Sequence, residues 1–162
     1  MRGGQSEVEE GTACLIVQET NISGEVGDRA RLSRMAREND ALLTVSADPI
    51  SLPMFGPPGD YGTDIVVGEG QPMGVPPTFG GPYVGLFACK QEYIRQMPGR
   101  IVGKTVDTKN RAAYVLTLQT REQHIRREHA TSNICTAVAL IALMSTVYMA
   151  SYGKRGMRQH QK

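Results

Sequence analysis

Apolar residues cluster in short runs along the chain, at 13–17, 42–45, 64–67 and 84–88, with 114–118 a possible fifth. Each run has the length of a strand. The first three show no apolar–polar alternation, the pattern of strands covered on both faces. Between the first two, residues 28–39 carry Ala30, Leu32, Met35 and Ala36 at partly helical spacing among four arginines. Gly27 and Asp28 stand where a helix would begin, so the segment predicts one β-α-β unit. Strand alternating with helix implies an α/β fold with a mostly parallel sheet and flanking helices.

After Leu52 the texture changes. Pro53, Gly56, Pro57, Pro58 and Gly59 predict a turn-rich loop, and a second loop over 68–82 holds five glycines and four prolines. A long irregular segment inside a compact domain is usually functional. Near the end of the chain, residues 130–153 contain no charged side chain. Seven of them are serine, threonine or asparagine, so the stretch predicts a buried core helix rather than a membrane span. Thr131, Ser132 and Asn133 offer capping oxygens, and Ile134, Val138, Ile141 and Met144 or Ser145 share one face. Gly153 is the expected stop, followed by Lys154 and Arg155 at the negative end of the helix dipole.

Composition narrows the class. Eighteen glycines and nine prolines in 162 residues argue against an all-helical bundle. The net charge is only +2, but residues 1–80 sum to −7 and residues 81–162 to +9. The basic side chains are dispersed and few aromatics lie among them, which favours contact between the two halves over nucleic-acid binding. Cys14, Cys89 and Cys135 are far apart, with no CxxC or Cys/His spacing. Reduced, mostly buried thiols in a cytoplasmic protein are expected, with no metal site. The start of the chain carries no apolar run of the kind a signal peptide needs.

Three motifs invite chemistry. Gly68-Glu69-Gly70-Gln71-Pro72-Met73-Gly74 follows a strand as a dinucleotide fingerprint does, but Met73 takes the third glycine position and Pro72, Pro76 and Pro77 block the helix that must follow. No lysine accompanies the glycines, which excludes a phosphate-binding Walker loop. Asp48 lies just beyond a predicted strand, where open α/β sheets meet ligands; an aspartate before proline also caps its own turn, the commoner role. The cluster 120–129 pairs Glu122 with Arg126 at helical spacing. Arg121 with Arg126 or Arg127 could grip a carboxylate or phosphate, although a solvated helical face is the commoner meaning of such a run.

Taken together, longer strings carry a family resemblance. Asp48-Pro-Ile-Ser-Leu52, Asp64-Ile-Val-Val-Gly-Glu-Gly-Gln-Pro-Met-Gly74, Phe79-Gly-Gly-Pro-Tyr-Val-Gly85, Met97-Pro-Gly-Arg-Ile-Val-Gly103, Leu116-Thr-Leu-Gln-Thr-Arg-Glu-Gln-His-Ile-Arg-Arg-Glu128 and Ala130-Thr-Ser-Asn-Ile-Cys-Thr136 resemble the glycine decarboxylase P-protein of the glycine cleavage system. They are most similar to its N-terminal half, a separate subunit 1 in many bacteria, over about residues 12–156. The resemblance implies part of the large domain of a pyridoxal-phosphate-dependent transferase of the aspartate-aminotransferase type, spanning 12–152. A flexible segment 1–11 and a basic tail 153–162 flank it. The implied activity is decarboxylation of glycine with pyridoxal 5'-phosphate and transfer of the aminomethyl group to the lipoyl arm of H-protein.

The same resemblance places Gln71 where the catalytic half has its Schiff-base lysine, and a glutamine amide cannot form an imine. Asp48 takes the position of the carboxylate that faces the pyridine nitrogen, as a vestige. The chain is therefore expected to be a fragment of the non-catalytic subunit, with no catalytic residue of its own. Its partner would be a lysine-bearing subunit 2 that holds the cofactor. Gly80 and Gly81 in the 68–82 loop, together with Arg121, are the candidates for walling that partner's cofactor site. The alternative is a non-catalytic remnant that serves only as a binding or assembly module. The family's subunit is far longer, so open sheet edges and an uncovered apolar face are expected.

Overall fold

The computed structural model describes residues 8–99, 101–118, 123–130 and 138–159. The chain divides into two compact units, Met1–Lys90 with Val138–Lys162, and Gln91–Ala137. In the first unit β1 (Cys14–Glu19), β2 (Leu42–Ala47), β3 (Ile65–Glu69) and β4 (Gly85–Cys89) form one sheet in chain order. β1–β2 and β2–β3 run parallel and β3–β4 antiparallel, so the sheet is mostly parallel, as predicted.

Helix α1 (Arg29–Glu38) joins the first two strands. It begins where the sequence places it, because the Asp28 carboxylate accepts the Arg31 backbone N–H at 3.0 Å. Its Ala36 packs on Leu43, Val45 and Ala47, with Leu15, Val17 and Val66 beside them. These residues share one face of the sheet, and that face is the main core. The run pattern alone predicts cover on the opposite face too, but that face is open, as the resemblance implies: Ile16 is 73% and Phe87 41% exposed. β2 accordingly alternates half-buried and buried residues along its length.

Asp64, just before β3, ties that strand to β2 and to the residue after β4. Its Oδ2 accepts the Leu43 N–H at 2.7 Å, and its Oδ1 accepts from Lys90 Nζ at 2.5 Å, at the end of β4. The turn-rich segment after Leu52 contains a short helix α2 (Leu52–Phe55) and a 3-10 turn at Pro58–Tyr61, neither predicted.

The predicted 68–82 loop begins inside β3, which runs to Glu69, and beyond that is irregular apart from a 3-10 turn at Thr78–Gly80. Its inner side is nonetheless packed: Val75 and Val84 form a second core with Ile141, bordered by Tyr83, Val138 and Met144.

The helix α4 (Ala139–Gln159) supplies that Ile141. The predicted face, Val138, Ile141, Met144 and Ser145, is the one that packs. The rest of the helix corrects the buried-core expectation. Only Ile141 and Ser145 are buried, while Leu140, Leu143 and Val147 are exposed, because a single layer lies beneath it. Gly153, at φ +61°, interrupts the helix as expected, but helical residues resume to Gln159. Thr131, Ser132, Asn133 and Ile134 lie outside the described residues. No helix among the described residues is long and apolar enough to cross a membrane.

In the second unit β5 (Ile101–Val106) and β6 (Ala112–Thr117) form an antiparallel hairpin. Its turn is held by Asp107, whose Oδ1 accepts from the N–H groups of Lys109 and Arg111. A one-turn helix α3 (Gln123–Arg126) and a 3-10 turn at Arg127–His129 follow.

Candidate functional site

Parallel strands end on the same side of a sheet, and there β1, β2 and β3 leave a cleft of about 390 Å³. It is lined by Gln18 and Glu19 at the end of β1, Ser46 and Ala47 at the end of β2, Asp48 beyond it, Glu69 at the end of β3 and Pro72 beyond that. Of the predicted residues only Asp48 lines it. Asp48 also caps its own turn: Oδ1 accepts the Ile50 N–H at 3.0 Å, and its carbonyl accepts from Ser51 Oγ at 2.8 Å.

Gln71 is turned into its own loop. Its side-chain amide donates to the Val75 carbonyl at 2.6 Å, and its backbone N–H donates to Glu69 Oε1 at 3.0 Å. The same Glu69 oxygen accepts from Val84 N–H at 3.2 Å, and Gly70 N–H donates to the Val84 carbonyl at 2.8 Å. Glu69 therefore closes the neck of the loop while standing at the rim of the cleft. Gly80 and Gly81 sit at the outer tip, at φ +104° and +133°, beside a fully exposed Phe79. They take no part in the lining. Arg121 lies outside the described residues.

Within the cleft wall Glu19 is buried and ion-paired with Arg29. Tyr61 Oη donates to Glu19 Oε2 at 3.1 Å. Burial, and then the neighbouring Glu19 charge, push the Tyr61 phenol up to about 12. The sequence reading missed Glu19, Ser46 and Glu69, although the rule that ligands meet α/β sheets at the carboxyl ends of strands would have singled them out.

Pyridoxal phosphate, which the resemblance implies, requires a lysine amine for its imine and cations or free N–H groups for its phosphate. The described lining holds no lysine, arginine or histidine, and its charged residues are the acids Glu19, Asp48 and Glu69. Those residues do not fit the cofactor. No group of three or more metal-ligating side chains occurs among the described residues either. The cysteines correct the expectation of buried thiols: Cys14 is exposed and Cys89 half-buried, both free, while Cys135 lies outside the described residues.

A mostly parallel sheet with helices about it and a crevice beyond the strand ends defines an α/β protein. Comparison with known proteins narrows this. The family model for the glycine cleavage system P-protein matches residues 2–161. A probable glycine dehydrogenase (decarboxylating) subunit 1 from Chloroherpeton thalassium is 55% identical over 152 residues, covering 94% of this chain and 34% of the relative. The protein of the same description from Desulforamulus reducens is 53% identical over 148 residues, covering 91% and 33%. The crystal structure of glycine decarboxylase (P-protein) of the glycine cleavage system, in inhibitor-bound form, superimposes with a TM-score of 0.88 at 46% identity, over 94% of this chain and 35% of that one. The chain belongs to the glycine cleavage system P-protein family, and it spans about a third of the length of the relatives it matches.

Proposed function

We propose that this chain is part of the non-catalytic subunit 1 of a glycine decarboxylase and works with a lysine-bearing subunit 2 that holds pyridoxal phosphate in the cytoplasm. The assembly decarboxylates glycine and passes the aminomethyl group to the lipoyl group of H-protein. One pairing of observations carries this reading. The chain is about half identical to proteins described as subunit 1, yet its strand-end cleft holds no lysine and Gln71 is bonded into its own loop.

In this reading residues 12–152 are part of the transferase large domain, flanked by a flexible segment 1–11 and a basic tail 153–162. Asp48 is a vestige of the ring-facing carboxylate. Gly80, Gly81 and Arg121 reach toward the partner's cofactor, where an arginine suits a phosphate or carboxylate. The positive-φ tip, exposed at Gly80 and half-buried at Gly81, supports a role in contact rather than in chemistry.

The test combines the chain with a purified subunit 2 and measures co-elution and glycine–bicarbonate exchange. Binding with exchange is the expected result, and Arg121→Ala should lower exchange about tenfold, the scale of one lost charge-assisted hydrogen bond. Unchanged exchange would remove Arg121 from the site. Binding without exchange would leave only the assembly role, and failure to bind would overturn both.

A further inference from the structure

The segment 70–84 between β3 and β4 is tied tightly at its neck, and one side chain spans that neck. Glu69, the last residue of β3, accepts on Oε1 from the Gln71 N–H at 3.0 Å and from the Val84 N–H at 3.2 Å. Among the described residues no other side chain is hydrogen-bonded to both arms of the loop. Between those bonds the arms touch: Gly70 N–H donates to the Val84 carbonyl at 2.8 Å, and a Cβ on Gly70 would lie 2.6 Å from Val84 Cγ1. The first arm also folds on itself, with Met73 N–H donating to the Gly70 carbonyl and Val75 N–H to the Gln71 carbonyl. Met73, Val75 and Val84 are buried. Gly74, at φ +83°, lies so close to α4 that a Cβ would come within 3.0 Å of Tyr148 Cβ. The neck is thus a closed ring seated on the second core.

The tip is held differently. Among the described residues, the hydrogen bonds of 76–81 run within the tip itself, linking Thr78 to Pro76 and Gly81. Where Gly80 and Gly81 stand is therefore decided at the neck. We infer that Glu69 is a positioning residue for glycine decarboxylation: it fixes the two arms of the loop so that Gly80 and Gly81 meet the partner's cofactor site. It acts through the reach of its Oε1 and not through its charge, because both groups bonded to that oxygen are backbone N–H groups. Any oxygen acceptor at the same place would satisfy them. The inference rests on the proposed role of Gly80 and Gly81 beside that cofactor, and it names the residue that delivers them.

Three substitutions separate reach from charge. Glu69→Gln keeps an oxygen at the same reach and gives up the charge; Glu69→Asp keeps the charge and withdraws the oxygen by one methylene; Glu69→Ala removes both. Each chain is combined at saturation with purified subunit 2, and glycine–bicarbonate exchange is measured across glycine concentration. Amide hydrogen exchange over residues 70–84 is followed in the same complexes. Glu69→Gln is expected within about twofold of the unsubstituted chain in every measurement. Glu69→Asp and Glu69→Ala should lower kcat about tenfold, in line with the roughly hundredfold that a 1 Å misplacement can cost. KM for glycine and affinity for subunit 2 should stay within about twofold, while the Gln71 and Val84 amides exchange about tenfold faster. At saturation a smaller folded fraction has no effect on kcat, so a merely stabilising residue would leave it unchanged.

Circular dichroism establishes that each variant folds. Should Glu69→Ala fail to fold, the contrast between Glu69→Asp and Glu69→Gln decides alone. A kcat unmoved by Glu69→Asp would overturn the inference, as would a Glu69→Gln chain as impaired as Glu69→Asp, which would assign the effect to charge. Unchanged amide exchange at Gln71 and Val84 in Glu69→Asp would overturn it too. The unsubstituted complex distinguishes the two levels. Absence of exchange there overturns the proposed function, and this inference with it; full exchange there that Glu69→Asp leaves intact overturns this inference alone.

Discussion

Glu19, the last residue of β1, is ion-paired with Arg29, the first residue of α1, and the pair closes the connection between strand and helix. Arg29 Nη1 also donates to the Phe55 carbonyl at 2.5 Å. Its guanidinium lies 5.5 Å from the Phe55 ring centre and 5.4 Å from that of Tyr61. The Glu19 side chain is only 6% exposed, so it depends on these partners. Arg29→Ala leaves a buried carboxylate with Tyr61 alone and should cost about 2–4 kcal/mol in urea unfolding. Adding Glu19→Gln should recover much of that loss. A single-variant loss below about 1 kcal/mol would mean that the pair behaves as a solvated surface pair.

Tyr61 gives this cluster a pH signature. Its phenol titrates at about 12 in the fold and at 10.0 when unperturbed, raised chiefly by burial and then by Glu19. A raised value means that the folded state holds its proton after the unfolded state has released it. The contribution is complete below pH 10 and is lost as pH rises toward 12. Unfolding curves across that window should show a smaller decline for Tyr61→Phe than for the unsubstituted chain. Equal declines would show that Tyr61 does not carry the effect.

Gly68 marks a place where β3 has no room for a side chain. A Cβ there would lie 2.6 Å from the Ala47 carbonyl oxygen, a backbone atom that cannot step aside. Gly68→Ala should destabilise by about 1–3 kcal/mol, the usual range for overpacking. Gly85→Ala, in the neighbouring strand with nothing within 4 Å, should stay within about 0.5 kcal/mol. Equal thermal shifts for the two variants would refute the packing explanation.

What the sequence revealed follows from which signals are local. β1 to β4 and α1 were legible because apolar runs and the Asp28 cap act within a few residues. β5 escaped notice because Gly103 and Lys104 interrupt Ile101–Val106, and its pairing with Ala112–Thr117 is what makes it a strand. The α2 turn hid among the prolines from Pro53 to Pro58, one of which sits in its first turn. Asp48 was placed at the cleft by its position after a strand. Glu19 and Glu69 were not, since their roles come from Arg29 and from the loop neck, each brought near by the fold.

The cleft's chemistry predicts a negative spectroscopic result. Pyridoxal phosphate added to the isolated chain should produce no protein-dependent visible band. Gln71→Lys should not create one either, because Asp48 and Glu69 line the space and no cationic side chain there meets a phosphate. A band that appears in the unsubstituted chain and persists through dialysis would overturn the assignment of the cofactor to another subunit.

Sheet order follows chain order, with each strand hydrogen-bonded to the one made just before it. As the chain leaves the ribosome, every new strand therefore finds its template already in place, and no partner has to wait for a distant segment. The exception is the second core, where Val75 and Val84 remain unfilled until Ile141 is synthesised. Nascent-chain folding should accordingly proceed in two stages, with the sheet first and the seating of the 68–82 loop delayed until α4 emerges.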